Sequence, residues 1–372
     1  MKRIFAALAL LALLAALCLP AAASAPVFMD ANTLSHPAEI ALLSDLGLVS
    51  GYADGSFRPD NCITRAEISK LICLLRTSAL PASAAAPFPD AAASWAGTYI
   101  DYCADNGLVA GYADGTFRPG SYITIRELAK MLLVAVGWSD GKRYTGAGWA
   151  AAVDADAAAA GLYEGVPAER DRYVTRDNAC LMIYNAMQCP AVDRLDADGG
   201  KVYVLDSMMT PVTFLEHRFG LSLASGTVVA DSVCDLRNPG GKLDAGRVHL
   251  DGYTRDFLVS NVVAFDTSLI GRKVTIYAIY GSDVNRAFGM PHLRASEVYT
   301  TLASRAELDV ILNYTKMSLT SETKYYADYS EVTPAYLDKL PDGAGITIID
   351  HEGDDKIDIV LFTLPKADGA QS

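Results

Sequence analysis

"GYADGSFRP", Gly51 to Pro59, returns sixty residues later as "GYADGTFRP", Gly111 to Pro119, with Ser56 exchanged for Thr116. Asp54-Gly55 and Asp114-Gly115 mark tight turns, and each proline bars helix at the residue before it. Sliding the chain on itself by 60 extends the match: Phe28 and Asp30 fall on Phe88 and Asp90, Ile40 on Ile100, Gly47–Val49 on Gly107–Val109, and Ile63-Thr64 on Ile123-Thr124. Such a period indicates a supersecondary unit used repeatedly, usually three times or more when one unit cannot bury its own face. A worn third copy follows. Trp149 stands twelve residues before Gly161, as Trp95 stands twelve before Gly107, and "VTRDNACLMIYNAM" restates "ITRAEISKLICLL", while "VPAERDRY" replaces the glycine turn.

Each unit reads as helix, turn, helix. Trp95, Tyr99, Ile100 and Cys103 recur at helical spacing, and Gly107 suits the left-handed residue that ends a helix. The second helix starts at a capping box, Thr64-x-x-Glu67 and Thr124-x-x-Glu127, whereas Thr175 is followed by Asn178 and gives a weaker start. Apolar stripes follow: Ile68, Leu71, Ile72, Leu75; Leu128, Met131, Leu132, Ala135; Ala179, Met182, Ile183, Ala186. For the nonapeptide itself, turn formation is a stronger account than calcium binding, because Asp54 and Asp114 lie in no run of spaced acids.

Residues 27–187, with "FPD", Trp95, "GLVAGYADGTFRP" and "ITRAE", resemble the S-layer homology module of bacterial surface proteins. The resemblance implies modules at 26–80, 86–140 and 143–190 forming a pseudo-threefold helical bundle; the Asp- and Gly-rich stretch at 191–200 reads as a linker and the β-branched runs beyond it as a mainly β domain, barrel or sandwich, at 201–372, so the chain as a whole is α+β. The resemblance also implies grooves between modules that bind a secondary cell-wall polysaccharide, often with a pyruvylated terminal sugar. The protein is then anchored non-covalently to the envelope, with no cofactor or metal and no catalytic residues; self-association in a surface layer is left open. A ketal-linked pyruvate is a carboxylate, suited to a cation at a helix N-terminus. Arg65 and Arg176 each follow a capping threonine and supply that cation. In the second unit Ile125 takes the arginine position and Arg126 lies one residue on, about 100° around the helix, so that groove is impaired or Arg126 compensates. Trp95 and Trp149 offer stacking surfaces, Ser35 replaces them in the first unit, and Gly51 and Gly111 offer backbone N–H groups. Taken singly, the tryptophans also read as core and the arginines as a solvated face; together they favour a ligand groove.

Lys2 and Arg3, the 16-residue apolar run Ile4–Leu19 and "AAASA" form a secretory signal over 1–25. The run is shorter than the roughly 20 residues of a spanning helix, and no later stretch is long and apolar enough, so the mature chain is read as exported and wall-associated. The net charge of −13 becomes −15 without Lys2 and Arg3, which argues against nucleic acid. The remaining cysteines, Cys62, Cys73, Cys103, Cys180, Cys189 and Cys234, show no CxxC and read as small core residues.

Beyond residue 200, β-branched runs such as "GTVVADSVCDL", "GRVHLDG", "FLVSNVVAF", "RKVTIYAIYG", "GITIID" and "IDIVLFTL" predict strands, with short helices at "SRAELDVILN" and "TPAYLDKL". "GLSLA" lacks the second glycine of a nucleophile elbow, and "DHEGDDKID" has Asp355 and Leu361 where a calcium loop needs Gly and Glu. The region holds no Trp, which counts against a carbohydrate platform. Asp and Glu are abundant and only geometry identifies a catalytic pair among them, so a wall-anchored hydrolase with its active site in 201–372 is the alternative reading.

Overall fold

The computed structural model describes residues 28–77, 88–260 and 264–365, so the signal read at 1–25 lies outside the described residues. The chain divides into two compact units between Leu221 and Ser222. The first contains three helix pairs: α1 (Pro37–Asp45) with α2 (Arg65–Arg76), α3 (Gly97–Asp105) with α4 (Ile125–Ala135), and α5 (Trp149–Ala159) with α6 (Arg176–Gln188). The first helix of each pair stops at a left-handed glycine, Gly47, Gly107 or Gly161, with φ of 70°, 67° and 71°. The next N–H then folds back, Leu48 to the Leu43 carbonyl at 2.9 Å and Leu108 to that of Cys103 at 2.8 Å, which satisfies carbonyls the helix leaves open.

The second helices begin as their sequences demand. Thr64 and Glu67 exchange bonds of 3.2 and 2.9 Å, and Thr124 and Glu127 bonds of 3.2 and 2.8 Å, whereas Thr175 only accepts, from the Asn178 backbone at 3.3 Å and its side-chain amide at 3.0 Å. All three apolar stripes are buried. Each capped start also leans on another pair: Arg65 and Ala66 N–H donate to the carbonyls of Ser121 and Pro119, those of Ile125 and Arg126 to Arg172 and Arg170, and those of Arg176 and Asp177 to Asn61 and Pro59. Single β-bridges between Thr64 and Tyr122, Thr124 and Tyr173, and Cys62 and Thr175 complete the cycle. The three pairs therefore close a ring in which first hands to second, second to third, and third to first.

Residues 191–221 pack with the helices. β1 (Val192–Leu195) pairs antiparallel with β2 (Lys201–Tyr203), and α7 (Phe214–Phe219) starts at a further capping box, Thr213 with Glu216. The Trp138 indole donates to the Pro190 carbonyl at 3.2 Å, and Lys201 lies 4.7 Å over the same ring. These contacts explain why the compact unit runs on past the Asp- and Gly-rich stretch. Among the described residues no helix is long and apolar enough to cross a membrane. Cys62, Cys73, Cys103, Cys180, Cys189 and Cys234 are all free, and all but Cys62 are buried.

The second unit joins a barrel to an open sheet. Strands β3 (Ser222–Ala230), β4 (Arg247–Leu250), β5 (Phe257–Val259), β6 (Lys273–Ile279) and β7 (Asn285–Leu293) close in the order β3-β4-β5-β7-β6, with β5 and β7 parallel and β6 returning to β3. Then β8 (Val298–Leu302), helix α8 (Arg305–Tyr314), β9 (Ser318–Ala327), β10 (Ser330–Val332), β11 (Gly345–Asp350) and β12 (Lys356–Thr363) build a sheet ordered β10-β9-β12-β11-β8. Tyr326, Ile349 and Ile359 of the sheet share one core with Val228, Phe257 and Ile276 of the barrel. "TPAYLDKL" forms the short 3-10 helix Pro334–Lys339. β7 escapes the sequence pattern because Gly289 and Pro291 interrupt it, and β9 because its first half is polar and largely exposed.

Candidate functional site

The two nonapeptides fold identically. The Tyr52 N–H reaches the Ser56 carbonyl at 2.8 Å, as Tyr112 does that of Thr116, and Gly55 and Gly115 turn the chain at φ of 81° and 79°. Asp54 accepts from the Ser56 hydroxyl and N–H and from Arg58; Asp114 accepts likewise from Thr116 and Arg118. The hydroxyl bond foremost, then the neighbouring donors, hold both carboxyls well below the usual range. Asp30 and Asp90 accept the next two N–H groups of each turn. Arg58 and Arg118 consequently sit at φ of 56° and 57°, a left-handed strain for non-glycine residues that nothing in the sequence announces. Phe57 and Phe117 are fully buried against Phe28 and Phe88, at 4.9 and 5.3 Å between rings.

Gly51 and Gly111 open the turns where the chain passes flat against those phenylalanines. A Cβ on Gly111 would stand 2.3 Å from Phe88 Cε1 and 2.9 Å from the Thr116 carbonyl, and one on Gly51 would stand 2.9 Å from that of Ser56. Glycine is therefore demanded by close approach, since neither residue has positive φ.

Above each turn lies a groove, and the two have matching walls. One is lined by Gly51, Tyr52, Glu67, Lys70, Trp95 and Arg176. The other, of about 710 Å³, is lined by Gly111, Tyr112, Glu127, Lys130, Trp149 and Arg65. Each thus draws its turn and lysine from one helix pair, its tryptophan from the following pair, and its arginine from the preceding one around the ring. The first has about 180 Å³ and adjoins a hollow of about 770 Å³ that shares Tyr52, Glu67 and Trp95 and adds Asn61, Ser94 and Tyr122. Six of the seven residues singled out in the sequence come together here, in two sets of three.

The arginines reach the grooves as parts of the scaffold. Arg65 Nε and Nη2 donate to the carbonyls of Phe117 and Ala110, both at 2.7 Å, and Arg176 Nε and Nη2 to those of Phe57 and Ser50 at 2.9 and 3.1 Å. Arg65 also lies 4.2 Å over the Phe117 ring, and burial lowers its pKa. The helix starts offer no spare N–H groups: at Thr64 to Glu67 and at Thr124 to Glu127 all four are taken by the capping box and by the neighbouring pair's carbonyls. An anion in these grooves is met by side chains rather than by a helix terminus.

Arg126 stands apart. It binds both Asp154 oxygens, at 3.1 and 3.0 Å, and Asp171, and lines neither groove. Its neighbour Ile125, at the arginine position, is buried in the core. Trp149 opens α5, while Trp95 precedes α3 by two residues, 63% exposed, with its edge toward Tyr99. At the remaining position Ser35 N–H and His36 Nδ1 bond Asp177.

Sequence reasoning passed over Lys70 and Lys130. Each stands six residues after its capping threonine, in "ISK" and "LAK", and the third unit has Leu181 there, so the signal was present in the repeat. Lys130 Nζ donates to the Tyr144 carbonyl at 3.0 Å and lies 5.6 Å from the Trp149 ring; burial lowers its pKa. Among the described residues no three His, Cys, Asp or Glu side chains are grouped to hold a metal.

Residues 34–68 and 87–129 match the S-layer homology domain. The chain is 42% identical over 86 residues to cell surface glycoprotein 1 of Acetivibrio thermocellus, which is 22% of this chain and 4% of that protein. It is 31% identical over 105 residues to a surface layer protein of Brevibacillus choshinensis, 27% of this chain and 9% of the relative. It is 32% identical over 97 residues to the cellulosome-anchoring protein of Acetivibrio thermocellus, 25% of this chain and 22% of the relative. The likeness thus lies in a minor part of each of these proteins.

Proposed function

Because this chain carries the S-layer homology domain over two segments of its helical unit, we propose that the unit is an anchor, holding the protein non-covalently to a bacterial cell envelope. Its ligand is a wall polysaccharide bearing a carboxylate, such as a pyruvylated sugar. The observation that carries this reading is the recurrence of one constellation, Gly, Tyr, Glu, Lys, Trp and Arg, in two separately built grooves. Core packing alone would not place a lysine, an arginine and an accessible indole around the same opening twice. Lys70 and Lys130 supply one cation, Arg176 and Arg65 a second, and Trp95 and Trp149 a face for a sugar ring. The ring of bridges and handed-over N–H groups supports reading the three pairs as a pseudo-threefold bundle with two working grooves. At its third position Ile125, Ser35 and Leu181 replace the arginine, the tryptophan and the lysine.

Co-sedimentation of the protein with purified walls tests the reading. Lys70→Ala and Lys130→Ala should each weaken retention about tenfold, the scale of one charge-assisted hydrogen bond, and together abolish it. Full retention of the double variant, or equal binding to walls stripped of their polysaccharide, would sink the assignment.

A further inference from the structure

The two grooves share their walls but not their ends. Ala66 N–H donates to the Pro119 carbonyl as Arg126 N–H donates to that of Arg170, and Thr64 bridges Tyr122 as Thr124 bridges Tyr173. Ala66, Gly120 and Tyr122 at the first junction of the ring therefore correspond to Arg126, Asp171 and Tyr173 at the second. At the first, two small residues line the hollow of about 770 Å³ that continues the groove, more than four times the groove's own volume of about 180 Å³. At the second, the same two positions hold an ion pair. Arg126 binds Asp171, and its Nε binds both oxygens of Asp154, which leaves its side chain only 15% exposed. None of Arg126, Asp171 and Tyr173 lines the second groove, whose volume of about 710 Å³ is bounded instead by Lys142, Tyr144 and Gly146 of the α4–α5 loop.

We infer that the first groove grips a longer stretch of the wall polysaccharide than the second. It takes uncharged sugars into the hollow behind the carboxylate-bearing one, while the Arg126–Asp171 pair closes the second groove after a single sugar. This rests on the anchoring reading and adds to it how much of the polymer each groove measures. The chemistry of the hollow sets the class. Among the described residues that line it there is no lysine, arginine or histidine, while Asp60 and Glu67 are acidic, so a further carboxylate or phosphate is disfavoured there. What the hollow offers is what a neutral sugar uses: the Asn61 amide and the Ser94 hydroxyl for hydrogen bonds, and aromatic faces at Trp95 and Tyr122, 63% and 50% exposed. Tyr122 is backed by Tyr173, whose ring lies 5.7 Å away. Trp95 borders both spaces, so a saccharide chain can cross it from the cations into the hollow.

Calorimetric titration of the full chain tests this, with one-sugar and four-sugar fragments from the charged end of the wall polysaccharide as probes. With Lys130→Ala, which leaves the first groove intact, the longer fragment should bind about tenfold tighter than the shorter. With Lys70→Ala, which leaves the second, the two should bind alike. Tyr122→Ala should bring the first-groove ratio down towards one. Ala66→Arg with Gly120→Asp, which installs the bar, should do the same; a Cβ at Gly120 meets nothing within 4 Å, and unchanged melting is the folding control for each variant. Equal ratios in the two single-groove chains, or a ratio that Tyr122→Ala leaves unchanged, overturn the inference alone, since fragment binding itself upholds the anchor. Failure of both fragments to bind either chain overturns the anchoring reading and this inference with it.

Discussion

Asp90 and Asp114 show the residue scale at its plainest, since each carboxylate organises backbone donors of the second turn. The Phe117 N–H foremost lowers the pKa of Asp90, and the Thr116 hydroxyl, then Arg118, that of Asp114. Groups depressed in the folded state add stability that is present above their unfolded value of about 3.8 and is lost as pH falls towards the folded one. The helical unit's unfolding midpoint should hold steady above about pH 5 and drop below about pH 4, and Asp114→Asn should lessen that drop; a midpoint insensitive to acid contradicts this. Glycine and aspartate in the nonapeptide were legible because turns demand them. Two things were not: that the arginine after each capping threonine spends its donors on another pair's carbonyls, which depends on residues up to 126 positions away, and that Lys70 and Lys130 share an opening with them.

At the scale of elements, the capped helices and the β11–β12 hairpin follow directly from local signals. The stretch "DHEGDDKID" forms that hairpin's tip, and Asp350, 1% exposed, accepts the N–H groups of Glu352, Gly353, Asp354 and Asp355. A carboxylate so occupied has no capacity for calcium. Asp350→Ala should cost the β unit about 1–3 kcal/mol by removing the charge-assisted hydrogen bonds that hold the hairpin tip, read as a lower urea midpoint, and millimolar calcium should leave the wild-type midpoint unmoved. Strands β7 and β9 resisted reading because a bulge, a proline and a polar run hide their alternation, and only pairing with β6 and β12 makes them strands.

For the molecule as a whole, the repeat period disclosed three helix pairs but not the order in which they clasp one another. The weakest repeat by sequence, the third, supplies Arg176 to the turn of the first, and the Phe57 and Ser50 carbonyls have it as their partner. Arg176→Ala should destabilise the helical unit by about 2–3 kcal/mol and disable one groove of two; Arg176→Lys should not restore it, since an ammonium cannot span both carbonyls in a planar fork. Denaturant unfolding and wall retention would check both parts. The clasp also sets a timetable. A chain emerging N-terminus first completes the Lys130 groove once Trp149 is out, but the Lys70 groove only when Arg176 follows, so the opening encoded earliest is the last to come into being.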